Sequence, residues 1–251
     1  MHRLHRLITS ALLCSAALAG TARAHQVWLE QTPATAQLYF GEFNENLREV
    51  SPGLLDRFVQ PTATLVTARG EQPLKADKAA NGFVLSARAG AGESIVAQDA
   101  GYPVRERKEG DKVIRTAWTP AARLLGAGST AALAPRLALD IVPTGRAGEY
   151  QVVYAGRPLP KAKVGVAVQS GWGRELHTDD QGIVRLAQPW QGTYVLEVHH
   201  VDKTPGERNG KPYDIASYVT TLSLTQTDGL AALPAAPAAA PAAAPAAAPN
   251  K

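Results

Sequence analysis

Cysteine is nearly absent from this chain: its 251 residues hold one, Cys14. That residue lies in an apolar run and follows Leu12 and Leu13, where a lipoprotein processing site needs a small residue. It also falls in a segment that reads as a removable leader. Once that leader is gone, no disulfide can form and no thiolate can hold a metal, so any metal site must be built from nitrogen and oxygen. Long apolar runs are lacking as well. No stretch approaches the ~20 residues that a spanning helix needs, which predicts an exported chain with no membrane span. An excess of one charge is missing too. Three of the 26 basic residues, Arg3, Arg6 and Arg23, lie in the leader, leaving 23 against 22 acidic ones. So even a balance offers no electrostatic case for nucleic acid or an anionic membrane surface. No G-x-S-x-G elbow, H-E-x-x-H helix or phosphate-binding glycine loop occurs, which removes three common catalytic signatures.

What is present begins with the leader. His2, Arg3, His5 and Arg6 precede an apolar run over 7–19, and small residues continue to Ala22, Arg23 and Ala24. This is the pattern of a signal peptide over 1–24, cleaved after Ala24, and it predicts a periplasmic protein. The cut makes His25 the first residue of the mature chain. A terminal histidine carries a free α-amine beside its imidazole, with ordinary pKa values near ~7.7–8.0 and ~6.5, so both nitrogens can be free for a metal at mild pH. The competing reading is a histidine placed there by chance.

After His25 the chain breaks into short half-apolar segments bounded by Gly, Pro, Asn and Asp, which is β-structure. Strands are expected over 26–30, 34–40, 62–68, 82–87, 93–98 and 113–118, and then over 139–143, 149–154, 162–169, 174–178, 183–187, 192–199 and 215–224. Trp28 is expected to pack in the core. Glu42 and Glu45 read as a solvated face, with oxygen ligands as the alternative. Residues 101–111 read as an exposed hairpin loop, and 120–134 as a short helix or irregular linker. No amphipathic segment of 10–15 residues intervenes, so the fold class is all-β, with two β-sandwich domains of immunoglobulin-like or prealbumin-like build. The boundaries are 25–136 for the first, 137–227 for the second and 228–251 for a disordered Ala/Pro-rich tail. In the strand through Tyr194 and His200, Leu196, Val198 and His200 share one face, and Val195, Glu197 and His199 the other.

The start His25, Gln26, Val27, Trp28, the stretch Phe40, Gly41, Glu42, and the block from Gly192 through Glu197, His199, His200, Asp202, Pro205, Gly206, Glu207 to Tyr213 and Asp214 resemble the DUF4198 family of exported bacterial proteins. That family is labelled as nickel uptake or nickel-transport associated. The run from Tyr154 through Gly156, Arg157, Pro158, Asp179, Asp180 and Gly182 to Tyr194 is similar to carboxypeptidase regulatory-like domains, small sandwiches without catalytic residues. The resemblance implies a soluble binding component that assists metal uptake, with a membrane transporter or receptor as its partner.

Together these readings predict a non-catalytic site for a divalent transition metal. The expected ligands are His25 with His199 or His200 and Asp202, and Glu197 is a further ligand or supporting partner. Amine and imidazole suit Ni²⁺ or Cu²⁺ better than Zn²⁺. The stability order leans to copper and the family label to nickel. Two other classes remain: an oxidative copper enzyme built on the terminal histidine, and a structural or adhesive sandwich that binds a protein or glycan.

Overall fold

The computed structural model describes residues 25–241. The expected leader over 1–24, Cys14 included, and residues 242–251 of the tail lie outside the described residues. Between them the chain is β-structure joined by turns, with one 3-10 turn at Leu54–Arg57, so the all-β expectation is met. Among the described residues, no helix is long and apolar enough to cross a membrane.

One nine-stranded sheet organises the molecule. Across it run Gly173–His177, Lys163–Val168, Gly192–Asp202, Ile215–Gln226, Lys112–Leu125, Ser94–Gln98, Thr62–Thr67 and Gly70–Leu74, and Arg105–Glu109 also pairs with the long fifth strand. Neighbours are antiparallel except at the centre, where Lys112–Leu125 and Ile215–Gln226 run parallel from Thr116↔Ile215 to Leu124↔Ser223. A parallel pair cannot be closed by a tight hairpin. Here it joins segments about a hundred residues apart.

Each half of this sheet is covered on a different face. Successive residues of a strand point to opposite faces, and in Ile215–Gln226 two buried threonines show what each face meets. Thr221 Oγ1 donates to the Val27 carbonyl at 2.8 Å, and Thr220 Oγ1 to the Leu139 carbonyl at 2.7 Å. On the Thr221 face lies the sheet of Gln26–Gln31, Ala36–Glu42, Gly82–Leu85 and Ala76–Ala79, with Leu47–Arg48 beside Ala36–Glu42. Its core includes Leu29, Phe40, Leu55, Ile95, Tyr102 and Ala122. On the Thr220 face lies the sheet of Leu139–Pro143, Glu149–Tyr154, Arg157–Pro158 and Ile183–Arg185, over Ile141, Val152, Val164, Tyr194, Leu196 and Leu222. The first core draws on buried residues from Val27 to Leu124 with Val219, the second on buried residues from Leu125 to Leu224, and the nine-stranded sheet runs through both. The halves are locked by Arg123 and Asp140, both fully buried and paired through two hydrogen bonds of 3.0 and 2.6 Å.

Two expectations need correction. Residues 120–125, expected in a short helix or linker, continue the strand Lys112–Leu125 through Pro120. Proline is tolerated there because the strand changes neighbours. Thr116 pairs with Arg105, Ala121 pairs with Gln98, and Pro120 falls in the interval, its carbonyl accepting from Asp99 N at 3.1 Å. The missing N–H faces that same gap, so no ladder bond is lost. The tail, expected to be disordered from 228, instead runs over 228–241 along the body. Leu230 exchanges backbone bonds with Pro189 and Gln191, and Ala236 N donates to Gln169 O at 2.8 Å. Asn46 Nδ2 donates to the Ala236 carbonyl at 2.7 Å. Leu233 packs on the second core, so an Ala/Pro segment lacking its own core is held by backbone bonds and one leucine. Trp28 is buried as expected, with Phe43 and Val195.

Candidate metal centre

His25 stands at the head of Gln26–Gln31, the edge strand laid across the central parallel pair. Its imidazole lies 5.1 Å from the Phe40 ring, between two carboxylates. Nε2 is 2.6 Å from Glu49 Oε1, and Nδ1 is 3.5 Å from Glu42 Oε1. The glutamates come together because the chain doubles back after Ala36–Glu42. Glu45 N donates to Glu42 O and Asn46 N to Phe43 O, Asn46 adopts a left-handed φ of 49°, and Leu47–Arg48 returns in register with Gly41–Glu42. Glu49 N then donates to the Phe40 carbonyl at 2.8 Å. Gly41 permits this close return. Its φ is 148°, and a Cβ there would overlap the Leu47 carbonyl oxygen.

The charge balance at this point is unusual. The Glu49 side chain is 1% exposed and that of Glu42 14%. Arg48, the basic residue nearest in sequence, turns away to Glu30 at 2.8 Å and over the Tyr39 ring. Glu49 Oε2 and Glu42 Oε1 are buried with no hydrogen-bond partner, and so is Gln26 Oε1 beside them. Buried oxygens without donors are costly. They are what a bound cation would satisfy.

Glu197 and His199 complete the group. They share the face of Gly192–Asp202 that points toward the N-terminal sheet, and both line a cavity of about 280 Å³ with His25. Loss of solvent, and then the Glu42 charge, push the Glu197 carboxyl up to about 7. His199 Nε2 is 2.9 Å from Ser217 Oγ. The residue is exposed at the cavity mouth, but shielding of its ring against the sheet, and then neighbouring His200, lower its pKa. Glu197 also borders an open groove of about 720 Å³, floored by Gly165, Ala167 and Val195 and walled by Glu42 and Glu45.

Of the four expected ligands, His25 and His199 meet around one cavity. His200 and Asp202 do not, because they lie on the opposite face of the strand. The His200 ring is 4.2 Å from that of Tyr154, whose hydroxyl donates to Asp202 Oδ2 at 2.7 Å. That bond, with those from Thr204, holds the Asp202 carboxyl down to about 2. Asp202 is thereby committed to structure. Glu42, read mainly as solvated, is tucked beside His25, whereas Glu45 is exposed. Glu49 was not singled out from the sequence. The signal available was its parity with buried Leu47.

Among the described residues, no three His, Asp, Glu or Cys side chains already surround one point as metal ligands. The His25 ring itself stands between Glu42 and Glu49. Comparison with protein-family models, curated proteins and solved structures finds no match.

Proposed function

We propose that this chain binds a divalent transition metal, Cu²⁺ or Ni²⁺, and hands it on without catalysis. The ligating groups in this reading are the imidazole of His25, the carboxylates of Glu42 and Glu49, and His199 at the mouth. The observation that carries it is the buried Glu49 carboxylate, with one oxygen on His25 and the other unpartnered. If the leader is cut after Ala24, the α-amine of His25 joins its imidazole as a chelate. Such a nitrogen and oxygen set favours Cu²⁺ over both Ni²⁺ and Zn²⁺ in closely matched sites. The DUF4198 resemblance adds periplasmic metal uptake as the setting and a membrane transporter or receptor as the recipient. A structural or adhesive sandwich is the second reading, and the open groove of about 720 Å³ favours it as a seat for a glycan or peptide.

Calorimetric titration of Cu²⁺ and Ni²⁺ into three proteins tests the proposal. These are the chain beginning at His25, the same chain with one extra residue before it, and Glu49→Gln. Loss of a ligating group or its close support typically lowers affinity by about 10–100-fold or more. Both alterations are expected to do so. Equal affinity in all three would remove the α-amine of His25 and the Glu49 carboxylate from the site, and no binding in any would leave the adhesive reading.

A further inference from the structure

The cavity that joins His25 to His199 has a second wall of opposite charge. Arg57, at the end of the 3-10 turn, and Arg105, at the start of Arg105–Glu109, both line it, with Phe40 and Trp118 between them and His25. Among the described residues, neither guanidinium lies within 4.0 Å of a carboxylate. The neighbouring Arg48, by contrast, is paired with Glu30. Arg105 is nevertheless held in place. Its guanidinium stacks 4.7 Å from the Trp118 ring and 4.9 Å from that of Tyr102, and one nitrogen donates to the Tyr102 hydroxyl at 3.0 Å. An arginine pinned on aromatic faces keeps its remaining donors in a fixed fork, which is the geometry that recognises a carboxylate in two-point fashion.

Two arginines beside a cation site are a puzzle if the cargo is a bare ion, because each repels an incoming divalent charge. The conflict disappears when the metal arrives with its own negative group. We propose that the cargo is an anionic chelate, a divalent metal held by a small carboxylate ligand, with the metal facing His25 and the carboxylate received by Arg57 and Arg105. This rests on the metal reading above and names the form in which the metal is taken. The size is consistent. At roughly 30 Å³ per water, a cavity of about 280 Å³ has room for a small di- or tricarboxylate alongside an ion.

The test uses the chain beginning at His25, its Arg57→Gln/Arg105→Gln variant, and single Arg57→Gln. Because Arg57 is exposed and unstacked, the single variant preserves the aromatic packing if the double variant does not fold. Each protein is first titrated with Ni²⁺ and with Cu²⁺ alone. The metal-loaded protein is then titrated with citrate in a calorimeter, with the metal retained on the protein measured after gel filtration and ethylenediamine as the uncharged control chelator. The expected result is citrate binding to the loaded wild type with metal retained. That binding weakens at least tenfold in the double variant and severalfold in Arg57→Gln, while bare metal binds all three equally or binds the variants more tightly. Ethylenediamine should not distinguish the proteins. Citrate that strips metal from all proteins alike, or binds them alike, overturns the inference and leaves the metal site standing. Absence of metal binding in every protein overturns both.

Discussion

Glu197 is where charge and stability conflict most directly, and Glu197→Gln turns that conflict into a measurement. Its carboxyl is pushed from the ordinary 4.5 up to about 7, first by loss of solvent and then by Glu42. A carboxyl with a raised pKa binds its proton more tightly in the folded state than in the unfolded one. Folding therefore carries no penalty below about 4.5, a growing one as pH rises toward 7, and the full penalty above it. The difference between 4.5 and about 7, at about 1.36 kcal/mol per pH unit, comes to about 3 kcal/mol. Glutamine keeps the shape and removes the ionisation. The variant should match wild type at pH 4 and exceed it by up to about 3 kcal/mol at pH 8, or about 6–12 °C in Tm at 2–4 °C per kcal/mol for a protein of this size. The assay is calorimetric unfolding of both proteins from pH 4 to 8 with a chelator present. The difference between the two curves cancels every group other than Glu197 and Glu42, whose charge it feels. Glu42→Gln should recover a smaller part, since the Glu42 charge is the lesser cause. A gain for Glu197→Gln that does not change with pH, or a loss at pH 8, would refute the reasoning.

Three further outcomes are expected. Asp140→Asn leaves the fully buried Arg123 without its counter-charge and should cost about 3–5 kcal/mol, read as a fall in the urea midpoint. His199→Ala should weaken metal binding while His200→Ala leaves it unchanged, because His200 packs on Tyr154 across the sheet; a metal titration of both variants decides it. Gly41→Ala forces a side chain into a φ of 148° and against the Leu47 carbonyl. It should destabilise by about 1–3 kcal/mol or more and lower metal affinity by displacing Glu49, measured by thermal unfolding and calorimetry together.

Most strands were legible because period-two alternation and turn residues are local signals. Glu149–Tyr154 and Leu139–Pro143, for example, coincide with the segments read from the sequence. The extent of the shared sheet was not legible, since it depends on the parallel pairing of Lys112–Leu125 with Ile215–Gln226, which leaves no local mark. Pro120 misled for a related reason: a proline ends a strand only where its missing N–H is needed, and that depends on a neighbour far away in the chain. The same logic governs the site. Sequence alternation separates His199 from His200, but only the placement of the N-terminal sheet decides which face becomes a cavity. The Val27 carbonyl bonded to Thr221 marks that face as the one bearing Glu197 and His199. Glu49 was hidden most thoroughly. In sequence it belongs to a polar turn, and its burial follows from Gly41 letting Leu47–Arg48 return so closely that Glu49 N reaches the Phe40 carbonyl. A glutamate carried inward by its backbone, with one carboxylate oxygen left unpartnered, is a local cost to folding. In the metal reading proposed above, its juxtaposition with His25 is where a bound cation would offset that cost.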